Sequence, residues 1–264
     1  MTDLLDFTCK LAREAGQLIV DERCNSALQA EFKNGDELVT QADLKADALI
    51  TKAINGEFPD HLLVSEELAP DTASLSKQMG PLWIVDPIDG TVNYAHGHAQ
   101  SAISIAYAVG GRVEVGVVYN PFTKELFHAQ YGKGAFLNGA PISVARETNL
   151  RRAIIATGFP YNKAEIGILV HRLGSVLAAC ADIRRLGSAA LDICWVAAGR
   201  LDGYYESLSL WDFAAAQLIA TEAGARFGHF KPVPSHTLPQ FYCKNILIAN
   251  PQLYSQLRTV LQAT

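Results

Sequence analysis

Two aspartates three positions apart are the residues of this chain whose types and spacing most clearly suggest chemistry. They lie in Asp86-Pro87-Ile88-Asp89-Gly90-Thr91, directly after the apolar, β-branched run 82–85, which predicts a buried strand. Pro87 cannot donate a ladder hydrogen bond, so we expect the strand to end there. Asp86 would then lie at the carboxyl edge of a sheet, where layered α/β proteins usually bind their ligands.

The residue types in this stretch suit a hard cation and a phosphate group. Carboxylate and carbonyl oxygens are the ligands that Mg²⁺ prefers. The amides of Gly90 and Thr91, at the start of a turn or short helix, favour an anion. A plainer interpretation stays open, in which Asp89-Gly90 is a surface turn and Asp86 is a cap.

Three further carboxylates are candidates for the same site. Glu66 follows a short apolar run, and Asp43 and Asp212 each lie near the start of a predicted helix. Each also has a structural explanation, because Glu66-Glu67 could be a solvated loop and the two aspartates could cap their helices. Lys33, before the helix of Asp43, is a candidate phosphate contact or a solvated cation.

The pattern of predicted helices and strands changes near residue 150. Residues 1–150 predict amphipathic helices at 4–20 and 41–54, followed by a mostly antiparallel sheet. Residues 151–264 alternate short strands with helices, which is typical of a layered α/β unit. The sequence therefore predicts an α/β (α+β) protein with an N-terminal half that carries most candidate ligands and a smaller C-terminal half that carries Asp212.

Composition narrows the class of protein. The chain has 264 residues, 49% of them hydrophobic, a net charge of −5 and an acidic N-terminus. No apolar stretch approaches the roughly 20 residues of a membrane span, so we expect a cytoplasmic protein without a membrane segment. The 5 cysteines contain no CxxC pair, which predicts neither a disulfide framework nor a zinc site. The negative charge favours a small-molecule substrate and predicts no direct contact with nucleic acid.

Three motifs, in this order, resemble the inositol monophosphatase family of Mg²⁺-dependent, lithium-sensitive phosphatases. They are Ser65-Glu66-Glu67, the stretch WIVDPIDGTVNY at 83–94, and Trp211-Asp212-Phe213-Ala214-Ala215. Further agreement at 157–160, 186–190 and 202–206 extends the resemblance over nearly the whole chain, most strongly toward bacterial members. The resemblance implies a layered αβαβα sugar-phosphatase fold, a homodimer, and a phosphorylated polyol as substrate.

The resemblance also implies roles for individual residues. The ligands of two or three Mg²⁺ ions would be Glu66, Asp86, the carbonyl of Ile88, Asp89 and Asp212. Thr91, paired with Glu66 or Asp43, would orient the attacking water, and the amides of Gly90 and Thr91 would hold the phosphate. The pocket for the substrate's hydroxyl groups would be formed by Gly187, Ser188, Ala189, Glu206 and Asp212.

Other interpretations stay open. A haloacid-dehalogenase phosphatase also places acids after a buried strand, but it spaces them D-x-D and leaves Glu66 and Asp212 without a task. Members of the resembled family also act on fructose 1,6-bisphosphate, histidinol phosphate or nucleotide 3′-phosphates. Some bacterial relatives associate with the transcription machinery, for which Arg184-Arg185 is a candidate surface. His96 and His98, where the family often has a basic or proline-containing turn, are either solvated or an adventitious metal or substrate contact.

Overall fold

The computed structural model describes residues 3–25, 30–33, 37–68, 79–160, 164 and 166–264, without the side chains of 25, 30–33 and 37–39. Its helices are α1 (Leu4–Asn25), α2 (Gln41–Glu57), α3 (Thr91–Ala95), α4 (Ile166–Ala179), α5 (Ala189–Ala197), α6 (Leu210–Glu222) and α7 (Pro251–Gln262). Its strands are β1 (Ala30–Lys33), β2 (Glu37–Thr40), β3 (Leu62–Ser65), β4 (Leu82–Asp89), β5 (Ala102–Val109), β6 (Arg112–Asn120), β7 (Glu125–Gln130), β8 (Ala135–Leu137), β9 (Ala140–Pro141), β10 (Ile154–Thr157), β11 (Asp182–Arg184), β12 (Gly203–Glu206), β13 (Arg226–His229) and β14 (Ile246–Ala249).

The larger sheet contains strands β3 to β9 in chain order. Only the first pair, β3 with β4, is parallel, and the others are antiparallel. Alternate residues of β4 pack on opposite faces, as the pleat requires. Trp83 and Val85 join the buried cluster formed with α1 and α2, whereas Leu82 and Ile84 join the cluster formed with α5 and α6.

The smaller sheet has the strand order β11-β10-β12-β14-β13, with β10 parallel to both of its neighbours. Its outer face packs against α4 and α7, and its inner face packs against α5 and α6. The layers are therefore helices, sheet, helices, sheet, helices, which confirms the predicted αβαβα fold. The division at residue 150 stays a prediction, and the cluster around α5 and α6 contains residues from both sides of it.

A bulge in β4 places the two aspartates of the DxxD motif. Asp86 pairs with Ser104 and Asp89 pairs with Ala102, so three steps on β4 match two steps on β5. Residues three apart on a regular strand face opposite sides, and one extra residue restores the same side. The expectation that Pro87 ends the strand was wrong, because the proline lies where the ladder is interrupted and no donor is needed.

A close helix–sheet contact brings α6 to the larger sheet. A Cβ on Gly116 of β6 would lie 2.5 Å from the carbonyl oxygen of Ala215, so only glycine allows this approach. The small side chains of Ala214, Ala215 and Ala216 are fully buried in the contact. The approach brings Asp212, in the first turn of α6, close to Asp86 of the larger sheet.

Several short strands were not predicted, among them β1, β2 and β13. The hairpin β1–β2 lies in a stretch where the helical pattern stops, and β13 (Arg226–His229) ends inside the segment 228–241, whose proline and histidine residues predict a loop. β13 pairs only with β14 and lacks an apolar run. Of the helices that the structure describes, none is long and apolar enough to cross a bilayer.

Candidate active site

A pocket of about 700 Å³ opens where the ends of β3, β4 and β12 meet the first turns of α3, α5 and α6. Its wall contains most of the residues that the sequence predicted: Glu66, Asp86, Ile88, Asp89, Gly90, Thr91, Gly187, Ser188, Ala189, Glu206 and Asp212. Asp43 lies behind Thr91. The side chain of Lys33, the candidate phosphate contact, lies outside the described part of the chain.

Asp86 is the centre of a group of acids. It is 2% exposed, and burial raises the pKa of its carboxyl well above the usual value, with further contributions from Glu66, Asp89 and Asp212. The side chain of Glu66 forms a hydrogen bond with that of Asp86, and the Glu66 amide donates to the carbonyl of Val85 at 3.2 Å. Bringing these acids together in one buried place is electrostatically unfavourable, and a cation would relieve it.

The candidate ligand oxygens are of the type that binds a hard divalent cation, although their side chains do not converge on one position. Within the described residues, no group of three or more His, Cys, Asp or Glu side chains has the arrangement of a metal site. Protein donors hold two of the acids instead, since Asp212 Oδ2 accepts from the Ser209 amide at 2.9 Å and Asp89 accepts from the start of α5. All the candidate ligands are oxygens, and Mg²⁺ prefers oxygens to nitrogen or sulfur.

Asp89 is bound to the N-terminus of α5. Its carboxylate accepts from the Ser188 hydroxyl, from the Ala190 amide at 2.8 Å and from the Ala189 amide at 3.3 Å. Burial raises the pKa of Asp89 to about 6, and these donors and Arg185 oppose the rise. Ser188 and Ala189, predicted as substrate contacts, therefore also hold a candidate metal ligand.

Thr91 and Asp43 form a buried pair behind the acids. Thr91 Oγ1 lies 3.0 Å from Asp43 Oδ1 and 3.0 Å from the carbonyl oxygen of Ile88. Asp43 also accepts from the amide and hydroxyl of Thr40, so it caps α2 at the same time. Burial raises the pKa of Asp43 to about 6, while the hydrogen bonds from Thr40 and Thr91 lower it. Of the two partners expected for Thr91, the structure shows Asp43.

Gly90 connects β4 to α3 in a conformation that suits glycine. Its φ is +88°, and a Cβ there would lie 2.7 Å from the carbonyl oxygen of Gln100 and 3.0 Å from that of Gly187. Asn93 strengthens the same junction, because its Nδ2 donates to the carbonyls of Gln100 at 2.8 Å and Leu186 at 2.7 Å. The DGT turn is thereby fixed to the loop before α5.

Glu206, at the end of β12, is held by its own donors. The Tyr204 hydroxyl and the Gly158 amide both donate to its carboxylate, and a Cβ on Gly158 would overlap it. Burial raises the pKa of Glu206 to about 7, and these donors and Arg185 lower it. Glu206 lines the same pocket as Glu66.

The loop after α3 is held by Arg23 of α1. The Arg23 guanidinium lies 3.8 Å from the Phe122 ring centre and donates to the His98 carbonyl at 3.0 Å. His96 and His98 are both exposed, and His98 is the one that lines the pocket, so a substrate contact stays a prediction for His98.

The two neighbouring arginines diverge. Arg184 forms an exposed ion pair with Asp182 at 2.5 Å, whereas Arg185 lines the pocket beside the Phe159 ring. Four further residues line the pocket that the sequence pattern did not predict there, namely Asn93, Arg185, Asp192 and Tyr204. Asp192 alone had a visible signal, as a single acid within the apolar helix AALDICWVA.

Comparisons with known proteins agree with this fold. A family model described as the inositol monophosphatase family matches residues 1–263. Nus factor SuhB of Vibrio cholerae serotype O1 is 41% identical over 228 residues, which are 85% of this chain and 84% of that protein. The crystal structure of extragenic suppressor protein SuhB from Bartonella henselae has a TM-score of 0.88 at 34% identity and covers 99% of both chains. An IMPase of Thermotoga maritima has a TM-score of 0.86 at 32% identity, over 99% of this chain and 98% of that one.

A layered αβαβα fold with an acidic, oxygen-lined pocket beside helix N-termini defines the class, a phosphatase-type α/β protein. The family model and the relatives identify the family within this class. The chain belongs to the inositol monophosphatase family, whose members generally depend on Mg²⁺.

Proposed function

We propose that this protein hydrolyses a small phosphate monoester, with inositol monophosphate as the first candidate, by attack of water and without a covalent intermediate. The observation that carries the proposal is the buried Asp86 group beside the Thr91–Asp43 pair. The chain's own acids would hold Mg²⁺, namely Glu66, Asp86, Asp89 and Asp212 together with the Ile88 carbonyl. When bound, two or three such ions supply neutralisation of charge on the phosphate and acidification of water.

The protein's part in the reaction is to position water and the ester. With Thr91 donating to Asp43 Oδ1, the lone pairs of Thr91 Oγ1 can accept a hydrogen bond from the attacking water and orient it. The first amides of α3 have no partner within the helix and would hold phosphate oxygens. A bond forms from the water oxygen to phosphorus, the ester P–O bond breaks, and an alcohol and inorganic phosphate leave.

The alcohol group would occupy the other end of the pocket. Glu206 is ionised over at least part of the neutral range and can accept from two hydroxyls of a polyol. Gly187, Ser188 and Ala189 form the adjacent wall. Fructose 1,6-bisphosphate, histidinol phosphate and nucleotide 3′-phosphates are the alternative substrates.

Phosphate release from myo-inositol 1-phosphate and the three alternatives, with and without Mg²⁺, tests the proposal. We expect Mg²⁺-dependent release with preference for the inositol ester, and inhibition by Li⁺ in the same assay. Preference for another ester would change the substrate only. No release from any of them, with folded protein, would contradict the proposed reaction.

A second candidate function is binding to a protein of the transcription machinery. It is favoured by the name Nus factor, which the V. cholerae relative carries. Arg184 is the better test residue because Arg185 lines the pocket. Arg184→Glu that spares turnover but abolishes capture of purified transcription proteins would support this function, and unchanged capture would remove this surface. A homodimer and a cytoplasmic location also stay predictions.

A further inference from the structure

Asp192 is a buried carboxyl group in the pocket that the proposed reaction does not use. It lies in the first turn of α5, is 2% exposed and lines the pocket wall. Within the part of the chain that the structure describes, its Oδ1 is buried and has no hydrogen-bond partner. Native proteins rarely leave a buried polar atom unpaired, so such an atom at a pocket wall indicates a group that binds there.

The fold gives the Asp192 carboxyl one general role, because an acid in the first turn of a helix interacts favourably with the positive end of the helix dipole. The N-cap of α5 is Ser188, whose hydroxyl accepts from the Leu191 amide at 3.3 Å. The neighbouring positions Leu191 and Ile193 are buried and apolar, as expected of a helix between two sheets. An apolar residue at 192 would continue that pattern. The helix dipole does not account for the unpaired Oδ1, because no donor among the described residues reaches that atom.

Asp192 lines the same pocket as Asp89 and Glu206. Burial raises the pKa of its carboxyl well above the usual value, Asp89 and Glu206 raise it further, and Arg185 opposes the rise. Glu206 receives donors from the protein, namely the Tyr204 hydroxyl and the Gly158 amide, whereas no described residue donates to Asp192 Oδ1. A ligand that approaches Glu206 with one hydroxyl could offer a second hydroxyl to Asp192.

We infer that Asp192 is a second hydroxyl-binding carboxyl of the pocket, which together with Glu206 selects phosphate esters of polyols that carry hydroxyls on neighbouring carbons. The inference rests on the proposed phosphatase function and specifies its substrate class. A site built to bond a hydroxyl rejects an analogue without it, because the buried polar group is then left unpaired.

The test compares a polyol ester with an ester that has no hydroxyl groups. We expect Asp192→Leu to lower kcat/KM for myo-inositol 1-phosphate about 10- to 100-fold, mostly through KM, because a substrate hydroxyl is then left unpaired in a buried site. Hydrolysis of phenyl phosphate should change by less than about 2-fold, because its ring has nothing to offer Asp192. Asp192→Asn keeps one acceptor oxygen and should give a smaller loss on the polyol ester, and it serves if the leucine variant fails to fold.

Asp202→Asn is the matched control. Asp202 is also a buried aspartate, but its carboxylate accepts from the Ile154 amide at 2.8 Å and it is not among the residues of the pocket wall. This variant should lower thermal stability and leave the ratio of the two kcat/KM values unchanged. Equal losses on both esters in the Asp192 variants, or an unchanged ratio in folded protein, would overturn the role of Asp192.

A binding experiment distinguishes failure of this inference from failure of the proposed reaction. It is a calorimetric titration of the wild type and of Asp192→Leu with myo-inositol in the presence of inorganic phosphate. If the wild type hydrolyses neither ester, the reaction fails, and the titration still tests Asp192. Weaker binding of myo-inositol to Asp192→Leu, about 10-fold or more, would support the inference even then. Equal binding to both proteins, or none to either, would overturn it.

Discussion

Asp89 shows how one residue can serve both the fold and the proposed chemistry. It accepts three hydrogen bonds from the start of α5, yet it lies beside Asp86, and each of these two acids disfavours ionisation of the other. Replacing it with asparagine removes one acceptor and also removes a repulsive charge, and these two effects oppose each other. The residue can therefore be changed with little expected effect on folding.

We predict that Asp89→Asn loses most activity and stays folded. The turnover number should fall about 100-fold or more, because charge placed at the reacting phosphate is a large part of such catalysis. Melting temperature should change by only a few degrees. Mg²⁺-dependent phosphate release and thermal unfolding measure the two effects, with Asp202→Asn as the control for loss of a buried charge. Near-normal turnover would contradict the ligand assignment.

Glu206 gives a prediction about pH in the absence of metal. Burial raises its pKa from about 4.5 to about 7, so between these values the folded protein holds a proton that the unfolded chain has released. Stability then falls as pH rises through this window. The pKa values of Asp43 and Asp89 are raised to about 6, which acts in the same direction.

We therefore predict that Glu206→Gln flattens the pH dependence of stability. In EDTA, the melting temperature of the wild type should fall from pH 5 to pH 7.5, and that of the variant should fall less. The difference is at most about 3 kcal/mol of unfolding free energy, since one pKa unit corresponds to about 1.4 kcal/mol. Parallel curves for the two proteins, recorded by thermal unfolding, would show that Glu206 does not titrate in this window.

Spacing in the sequence identified the acids but not their partners. Asp86 and Asp89 are visible because polar residues follow an apolar run. The pairing of Thr91 with Asp43 joins positions 48 apart, and that of Asp89 with Ala190 joins positions 101 apart. Contacts of this kind depend on how helices and strands pack against each other, and the local sequence pattern carries no information about that packing. The resemblance to a family supplied Thr91 and Glu206, and it did not supply Asp192.

At the scale of elements, Gly90 is where β4, α3 and the loop before α5 meet. Its positive φ costs other residues about 1–2 kcal/mol. In addition, a Cβ would meet two backbone carbonyl oxygens, which cannot move aside as a flexible side chain could. Gly97 offers a comparison, because its φ is +78° and a Cβ there would meet nothing within 4 Å.

We predict that Gly90→Ala is more damaging than Gly97→Ala. Gly97→Ala should lower the melting temperature by about 2–4 °C, the effect of backbone strain alone. Gly90→Ala should lower it by at least about twice as much and reduce turnover about 10-fold or more, because the DGT turn must move. Thermal unfolding and phosphate release on both variants provide the measurements. Equal effects would mean that the junction tolerates a Cβ.

The elements themselves differ in how far the sequence predicts them. The runs around 83–85, 102–109 and 113–119 are apolar, and they form the central strands β4, β5 and β6. β1, β2 and β13 are short and lack such runs, so only pairing defines them. The bulge at Pro87 was also beyond prediction, because it exists only in register with β5.

At the scale of the whole molecule, α5 and α6 form the middle layer that both sheets share. Their cluster includes Leu82 and Ile84 of the larger sheet and Ile246 and Ile248 of the smaller one. Neither sheet keeps its inner face buried without this layer. The two halves should therefore lose their structure together, although the sequence suggested a division near residue 150.

We predict that the metal-free protein unfolds in one transition and that Mg²⁺ raises the temperature of that transition. A ligand at 100 times its dissociation constant adds about 2.7 kcal/mol, which corresponds to about 5 °C for a chain of this size. Scanning calorimetry should give equal calorimetric and van't Hoff enthalpies. Asp212→Asn keeps an oxygen for the Ser209 amide, so its metal-free transition should stay within a few degrees of the wild type while most of the Mg²⁺ shift disappears. Two separate transitions would show that the halves unfold independently. A wild type whose transition does not respond to Mg²⁺ would contradict the metal assignment, because Asp212 of the middle layer and Asp86 of the larger sheet would then share no ion.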